Sequence, residues 1–195
     1  LTGKNPDHQD TAVIIELKQW SEVKSTTKDG IVKTYLGGSE REVSHPSYQA
    51  WSYAALIEDY NETVREEAIA LEPCAYLHNL HDAGEINDPV YKPHLDKAPT
   101  FLASDAAKLQ DFIARHVRYG DHNDIMYRIE NGKIRPSKAL ADSLVSMLRG
   151  NQEFVMIDDQ KLVYETALDL AHRAQARTKQ VLVVEGGPGT GKSVV

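Results

Sequence analysis

The apolar and polar positions of this chain predict strands first and helices later. Residues 12–18, AVIIELK, form a β-branched run after the polar turn NPDHQD and predict a strand. IVKTYL and EREVS then flank Gly37-Gly38 and predict a short hairpin or strand pair. His45-Pro46 opens a helical pattern, PSYQAWSYAALIEDYNETV, with proline suited to the first turn. Its apolar positions Tyr48, Trp51, Ala55 and Leu56 recur at helical spacing. Pro73 to Leu80 predicts another strand, followed by a loop rich in Asp, Pro and Gly from about His81 to Pro99. Beyond it the periodicity is helical: from Ser104-Asp105 through AAKLQDFIARHV, from Asp124 to Asn131 with Gly132 as stop, and from Ser137 to Leu148 between Pro136 and Gly150. A long amphipathic helix is expected from Asp158 to Arg177, then a strand over Gln180 to Glu185. No internal repeat or low-complexity tract interrupts this order.

That last apolar run leads into Gly186-Gly187-Pro188-Gly189-Thr190-Gly191-Lys192-Ser193, which is G-x-x-x-x-G-K-[ST] after a strand. Glycines let such a loop curl until successive N–H groups point at a β-phosphate. Lys192 would reach the β/γ oxygens and Ser193 would hold Mg²⁺, so ATP with Mg²⁺ is the expected ligand. The helix expected after the loop, whose N-terminus supplies much of the phosphate affinity, lies past Val195, so a truncated motor with little ATPase activity of its own is expected. The coarse map is an α/β unit over 1–100, a helical connector over 101–157, and the first helix and strand of a P-loop NTPase domain over 158–195.

Composition narrows the class. Hydrophobic residues make up 41% and charged residues 26%, as in an ordinary globular protein. No apolar run approaches a membrane span, and no signal sequence opens the chain. Cys74 is the single cysteine, which excludes an internal disulfide framework and a thiolate cluster and fits a reducing cytoplasm. A net charge of −7 gives no help to a broad basic nucleic-acid surface, although local basic strips remain compatible with one.

A second chemistry sits on the first strand. Glu16 and Lys18 form E-x-K, and residues two apart on a strand share a face. A metal-dependent nuclease needs that pairing: the carboxylate holds Mg²⁺ and the lysine serves the attacking water. A salt bridge on a half-exposed strand is the competing reading. Gln49 and Tyr53 lie one turn apart on one face of the following helix. The constellation resembles the PD-(D/E)XK nucleases, particularly their RecB-like branch, where a glutamine and a tyrosine flank the site. That resemblance also requires an upstream aspartate. Asp7 and Asp10 read as turn residues, so the required carboxylate is expected before Leu1.

Ile157-Asp158-Asp159-Gln160 opens the last long helix. Superfamily 1 helicases carry a glutamine at this place, and an amide that donates and accepts at once matches adenine N6 and N7. Asp158 and Asp159 read as helix caps, with Gln160 on the adenine. His78 with His81 and His116 with His122 complete no tetrahedral set and read as structural. Lys133, Arg135 and Lys138 read as a solvated basic loop, with a phosphate contact as the alternative, and Trp20 and Trp51 read as core anchors.

IELKQW, HPSYQAWSYAAL, PCAYLHN, IENGKIRPSKALADSL, VMIDDQKLVYE and VEGGPGTGKS, in this order, resemble bacterial proteins with the Schlafen group-3-like DNA/RNA helicase domain. The resemblance covers essentially the whole chain. It implies a PD-(D/E)XK-like domain joined to a superfamily 1 helicase-type motor, with DNA or RNA and the rest of the motor as partners. One alternative is a catalytically inactive nuclease fold that binds nucleic acid or regulates the ATPase; another is a P-loop NTPase that is not a helicase.

Overall fold

A computed structural model describes residues 1–138, 142, 155–174 and 179–187. It is a mixed α/β structure built on a five-stranded sheet, with a separate three-stranded sheet beside it. Strands β1 (Thr2–Lys4) and β2 (Asp10–Lys18) are antiparallel, and β6 (Ala70–Leu77) and β7 (Thr100–Leu102) continue the sheet parallel to β2. A two-residue strand, β8 (Tyr119–Gly120), closes the other edge against β1, giving the order β7-β6-β2-β1-β8. The strands β3 (Lys24–Ser25), β4 (Ile31–Leu36) and β5 (Ser39–Ser44) form the second sheet, and β4 and β5 make the expected hairpin around Gly37 and Gly38, both at positive φ.

Pairing of β2 with β6 sets the two faces of the large sheet. Ile15 lies beside Cys74 and Glu16 beside Ala75, so neighbours alternate together between the faces. Val13, Cys74, Phe101 and Leu109 make one core, roofed by α4 (Ala106–His116). On the other face Ala75 and Leu77 join Trp20, Val23, Val32, Leu80, Ile86, Tyr91 and Leu102. Pro73 is tolerated within β6 for a related reason. The Ala75 amide donates toward the β7 side, to the Pro99 carbonyl, and Pro73 points its nitrogen the same way before β7 has begun.

The helix α1 (Pro46–Tyr60) covers the second face; of its expected apolar positions Tyr48 is buried, but the rest of the inward side is not the expected one. Ser47, Ala50, Ser52 and Ala54 are buried, whereas Trp51 and Ala55 are half-buried and Leu56 is exposed. Small residues let the helix backbone approach the sheet closely, and Trp51 and Leu56 are left toward its flanks. Trp51 therefore is not a core anchor; its ring carries the Lys97 ammonium 3.5 Å from its centroid. Trp20 is buried as expected. The expected single helix also breaks at Asn61, whose extended backbone ends α1 and whose side chain caps α2 (Glu62–Glu66) by accepting from the Val64 amide.

Within the expected loop after β6, a 3-10 turn at Pro89–Tyr91 runs into α3 (Lys92–Leu95). Farther on, α5 (Ile125–Glu130) packs Ile125 and Ile129 with Val64 and Ile69. The last helix, α6 (Asp159–Arg173), stands where the sequence predicts it and rests against β5. The strand expected over Gln180 to Glu185 is not formed: residues 179–187 pair with no strand among the described residues, and Val181 and Val183 are 81% and 74% exposed. A strand exists only through ladder bonds to a neighbour, so apolar composition alone does not produce one. Most of the helix expected from Ser137 to Leu148, and the loop positions Pro188, Gly189, Thr190, Gly191, Lys192 and Ser193, lie outside the described residues. Among the described residues no helix is long and apolar enough to cross a membrane.

Candidate functional site

Glu16 and Lys18 share the α1-facing side of β2, as their spacing requires, and each side chain is over four-fifths buried. The Lys18 ammonium lies 2.7 Å from Glu16 Oε1 and donates to Gln49 Oε1, also at 2.7 Å. It stands 5.2 Å from the Trp20 ring centroid, so the ammonium has a carboxylate, an amide oxygen and an aromatic face about it. Gln49 reaches this point because His45 caps α1 and sets its first turn over the C-terminal end of β2.

The amide of Gln49 is used on both sides. Its Nε2 donates to the Tyr53 hydroxyl at 2.9 Å and to Asp158 Oδ1 at 2.7 Å. Tyr53 in turn donates to the same Asp158 oxygen at 2.7 Å. Glu16, Lys18, Gln49, Tyr53 and Asp158 thus form one hydrogen-bonded row from the sheet end to the start of α6. Partial burial, then the bond to the Asp158 carboxylate, push the Tyr53 phenol up to about 12.

Asp158 is the residue that sequence reasoning misplaced. It stands at the N-cap position of α6, yet its side chain makes no cap hydrogen bond. Its backbone is at φ 46 and ψ −122, a region that glycine favours and other residues occupy at a cost of about 1–3 kcal/mol. The strain turns its carboxylate from the helix toward Gln49 and Tyr53. Gln160 Oε1 accepts instead from the Ile157 amide, one residue ahead of the cap, at 3.2 Å. The only sequence signal for this was an aspartate pair where one aspartate would suffice.

Asp158 belongs to a longer seam. The Tyr48 hydroxyl donates to the Met156 carbonyl at 2.6 Å, and the Ser44 hydroxyl donates to the Asp158 carbonyl at 3.1 Å. Within the first turn of α6, Lys161 Nζ binds Asp29 Oδ2 at 2.7 Å and Glu165 Oε1 at 2.8 Å. The other Asp29 oxygen meets His94 Nε2 at 2.8 Å. The hydrogen bond from His94, then that from Lys161, hold the Asp29 carboxyl well below the ordinary carboxylate range. Burial opposes the charge on Lys161, yet the bonds to Asp29 and Glu165 carry its ammonium above the usual lysine range. Gly30, at φ +62, lets the β3–β4 turn enter this cluster; a Cβ there would sit 3.3 Å from both His94 Nε2 and Tyr48 Cδ2.

Among the described donors no complete divalent-cation site is assembled. Glu16 is the carboxylate of the E-x-K pair, and its Oε1 is taken by Lys18. Among the described residues no group of three or more His, Cys, Asp or Glu side chains could hold a metal ion, and the histidine pairs complete no set. Asp7 is an exposed turn residue, and Asp10 is held by Lys4 and Arg128 at the far end of β2. Six residues of strand put Asp10 roughly 20 Å from Glu16. The β1–β2 ladder aligns Thr2 with Ala12, so it stops short of Glu16. In the basic loop, Arg135 is paired with Glu62.

Compared with protein-family models, with curated proteins and with solved structures, the chain finds no match.

Proposed function

We propose that this chain is the nuclease-like module and the opening of the motor of an ATP-dependent, helicase-type protein acting on DNA or RNA, similar to the Schlafen group-3-like helicase-domain proteins. In this reading Gly186 to Ser193 bind the triphosphate and its Mg²⁺, Gln160 reads adenine, and the PD-(D/E)XK-like domain regulates the motor instead of cutting. The observation that carries it is the seam: the residues of the nuclease-like constellation, Gln49 and Tyr53, are bonded to the segment that opens the motor. A regulatory module must touch what it regulates, and here the contact is made by the residues that would otherwise face a substrate.

Nuclease activity is the second reading, and the direct contact of Glu16, Lys18 and Gln49 favours it. Both are tested together in the full-length protein, by following ATP hydrolysis and cleavage of labelled single-stranded DNA, duplex DNA and RNA. Hydrolysis stimulated by nucleic acid and lost in Lys192→Ala, without cleavage, supports the regulatory module. Cleavage that disappears in Glu16→Ala and Lys18→Ala establishes the nuclease. Absence of any nucleotide hydrolysis overturns the motor.

A further inference from the structure

We propose that Asp158 is a latch through which the nuclease-like domain holds Gln160 away from adenine, so that release of the latch raises affinity for ATP. The inference rests on the reading of Gln160 as the adenine contact.

Three observations lead to it. First, the Asp158 carboxylate receives two hydrogen bonds from Gln49 and Tyr53, although the residue lies at the N-terminus of α6, where it would ordinarily cap. Second, the backbone there is strained, and Gln160 Oε1 is engaged by the Ile157 amide two residues from the latch. An amide oxygen held by its own backbone is less able to accept from adenine N6. Third, α6 is fixed independently farther along, by Lys161 and Glu165 on Asp29. Opening the latch therefore moves Asp158 and the two residues after it, while Lys161 and Glu165 keep the helix docked.

The two states differ in a defined way. Latched, residue 158 bears the strain and its carboxylate is satisfied by the α/β domain. Unlatched, the backbone relaxes, Asp158 is free to cap α6, and the Gln160 amide can turn outward. The two hydrogen bonds to the Asp158 carboxylate hold the latched state and the backbone strain opposes them, so a ligand that binds only the unlatched state works against the difference alone. A ligand that binds only the unlatched state is weakened by the fraction of molecules that are latched.

The test is binding of an ATP analogue labelled on its ribose, beside the matching GTP analogue, to the full-length protein and its variants. Tyr53→Phe and Asp158→Ala should each bind the ATP analogue about three- to tenfold tighter, and the double variant no tighter than the stronger single. GTP affinity should not change, and Gln160→Ala should erase the gain. Tyr53 belongs to the other domain, so an adenine-specific effect there is not a local one. Binding that needs Lys192 but is unchanged or weaker in Tyr53→Phe and Asp158→Ala overturns the latch and leaves the motor intact. Binding indifferent to Lys192→Ala, or absent throughout, refutes the nucleotide reading and the latch with it.

Discussion

His45 offers a quantitative check on how α1 is held. The ring is fully buried; its Nδ1 accepts from the Ser47 amide at 3.1 Å, and its Nε2 lies 2.9 Å from the Ile86 carbonyl. Only the neutral tautomer with its proton on Nε2 satisfies both contacts, because a proton on Nδ1 would face the Ser47 N–H. Burial accordingly lowers the imidazole from 6.5 to about 4. The sign follows: the unfolded chain binds the proton more readily, so the contribution is complete above 6.5 and is lost as pH falls toward the folded value. At about pH 4.5 the loss is roughly 2.5 kcal/mol. His45→Asn keeps an acceptor at the cap but does not titrate. Urea unfolding of both proteins at about pH 7.5 and 4.5 should show the wild type losing roughly 2.5 kcal/mol more than the variant. Equal losses in the two proteins would refute the buried-neutral assignment.

Two further perturbations address the seam. Gly30→Ala forces a Cβ into a left-handed position 3.3 Å from His94 and Tyr48, and should lower stability by about 1–3 kcal/mol, read as a shift in urea midpoint at constant slope. Lys161→Met leaves Glu165 buried without its cation and should cost about 3 kcal/mol, most of it regained in Lys161→Met with Glu165→Leu. If the double variant is no better than the single, the cluster is not held together by charge pairing.

How much of this was legible depends on the range of each contact. The β4–β5 hairpin followed from Gly37-Gly38 between two alternating runs, and the common face of Glu16 and Lys18 followed from strand geometry alone. Placing Gln49 and Tyr53 one turn apart was likewise a local inference, and Lys18 meets Gln49 as the pattern implied. The inward face of α1 was legible only at Tyr48, because periodicity marks bulky residues and this helix also buries Ser47, Ala50 and Ala54. The strands β7 and β8 were missed because three and two residues are too few to show alternation. Asp158 was missed for a different reason. Its local context favours a cap, and the partners that override it stand 105 and 109 residues away.

The same separations bear on the order in which the molecule assembles. The parallel pairing of β2 with β6 joins Thr11 to residue 70, 59 positions along, whereas α6 reaches Asp29 across 132. Closing the longer loop is entropically dearer, and the surface it closes onto exists only once the sheet and α1 are in place. Docking of α6 is therefore expected after the rate-limiting step, so weakening its ion pairs should steepen escape from the native state and leave the refolding rate almost untouched. In a chevron plot, Lys161→Met would raise the unfolding arm alone. The seam would then act as a kinetic lock, setting how long the two parts of the chain stay joined.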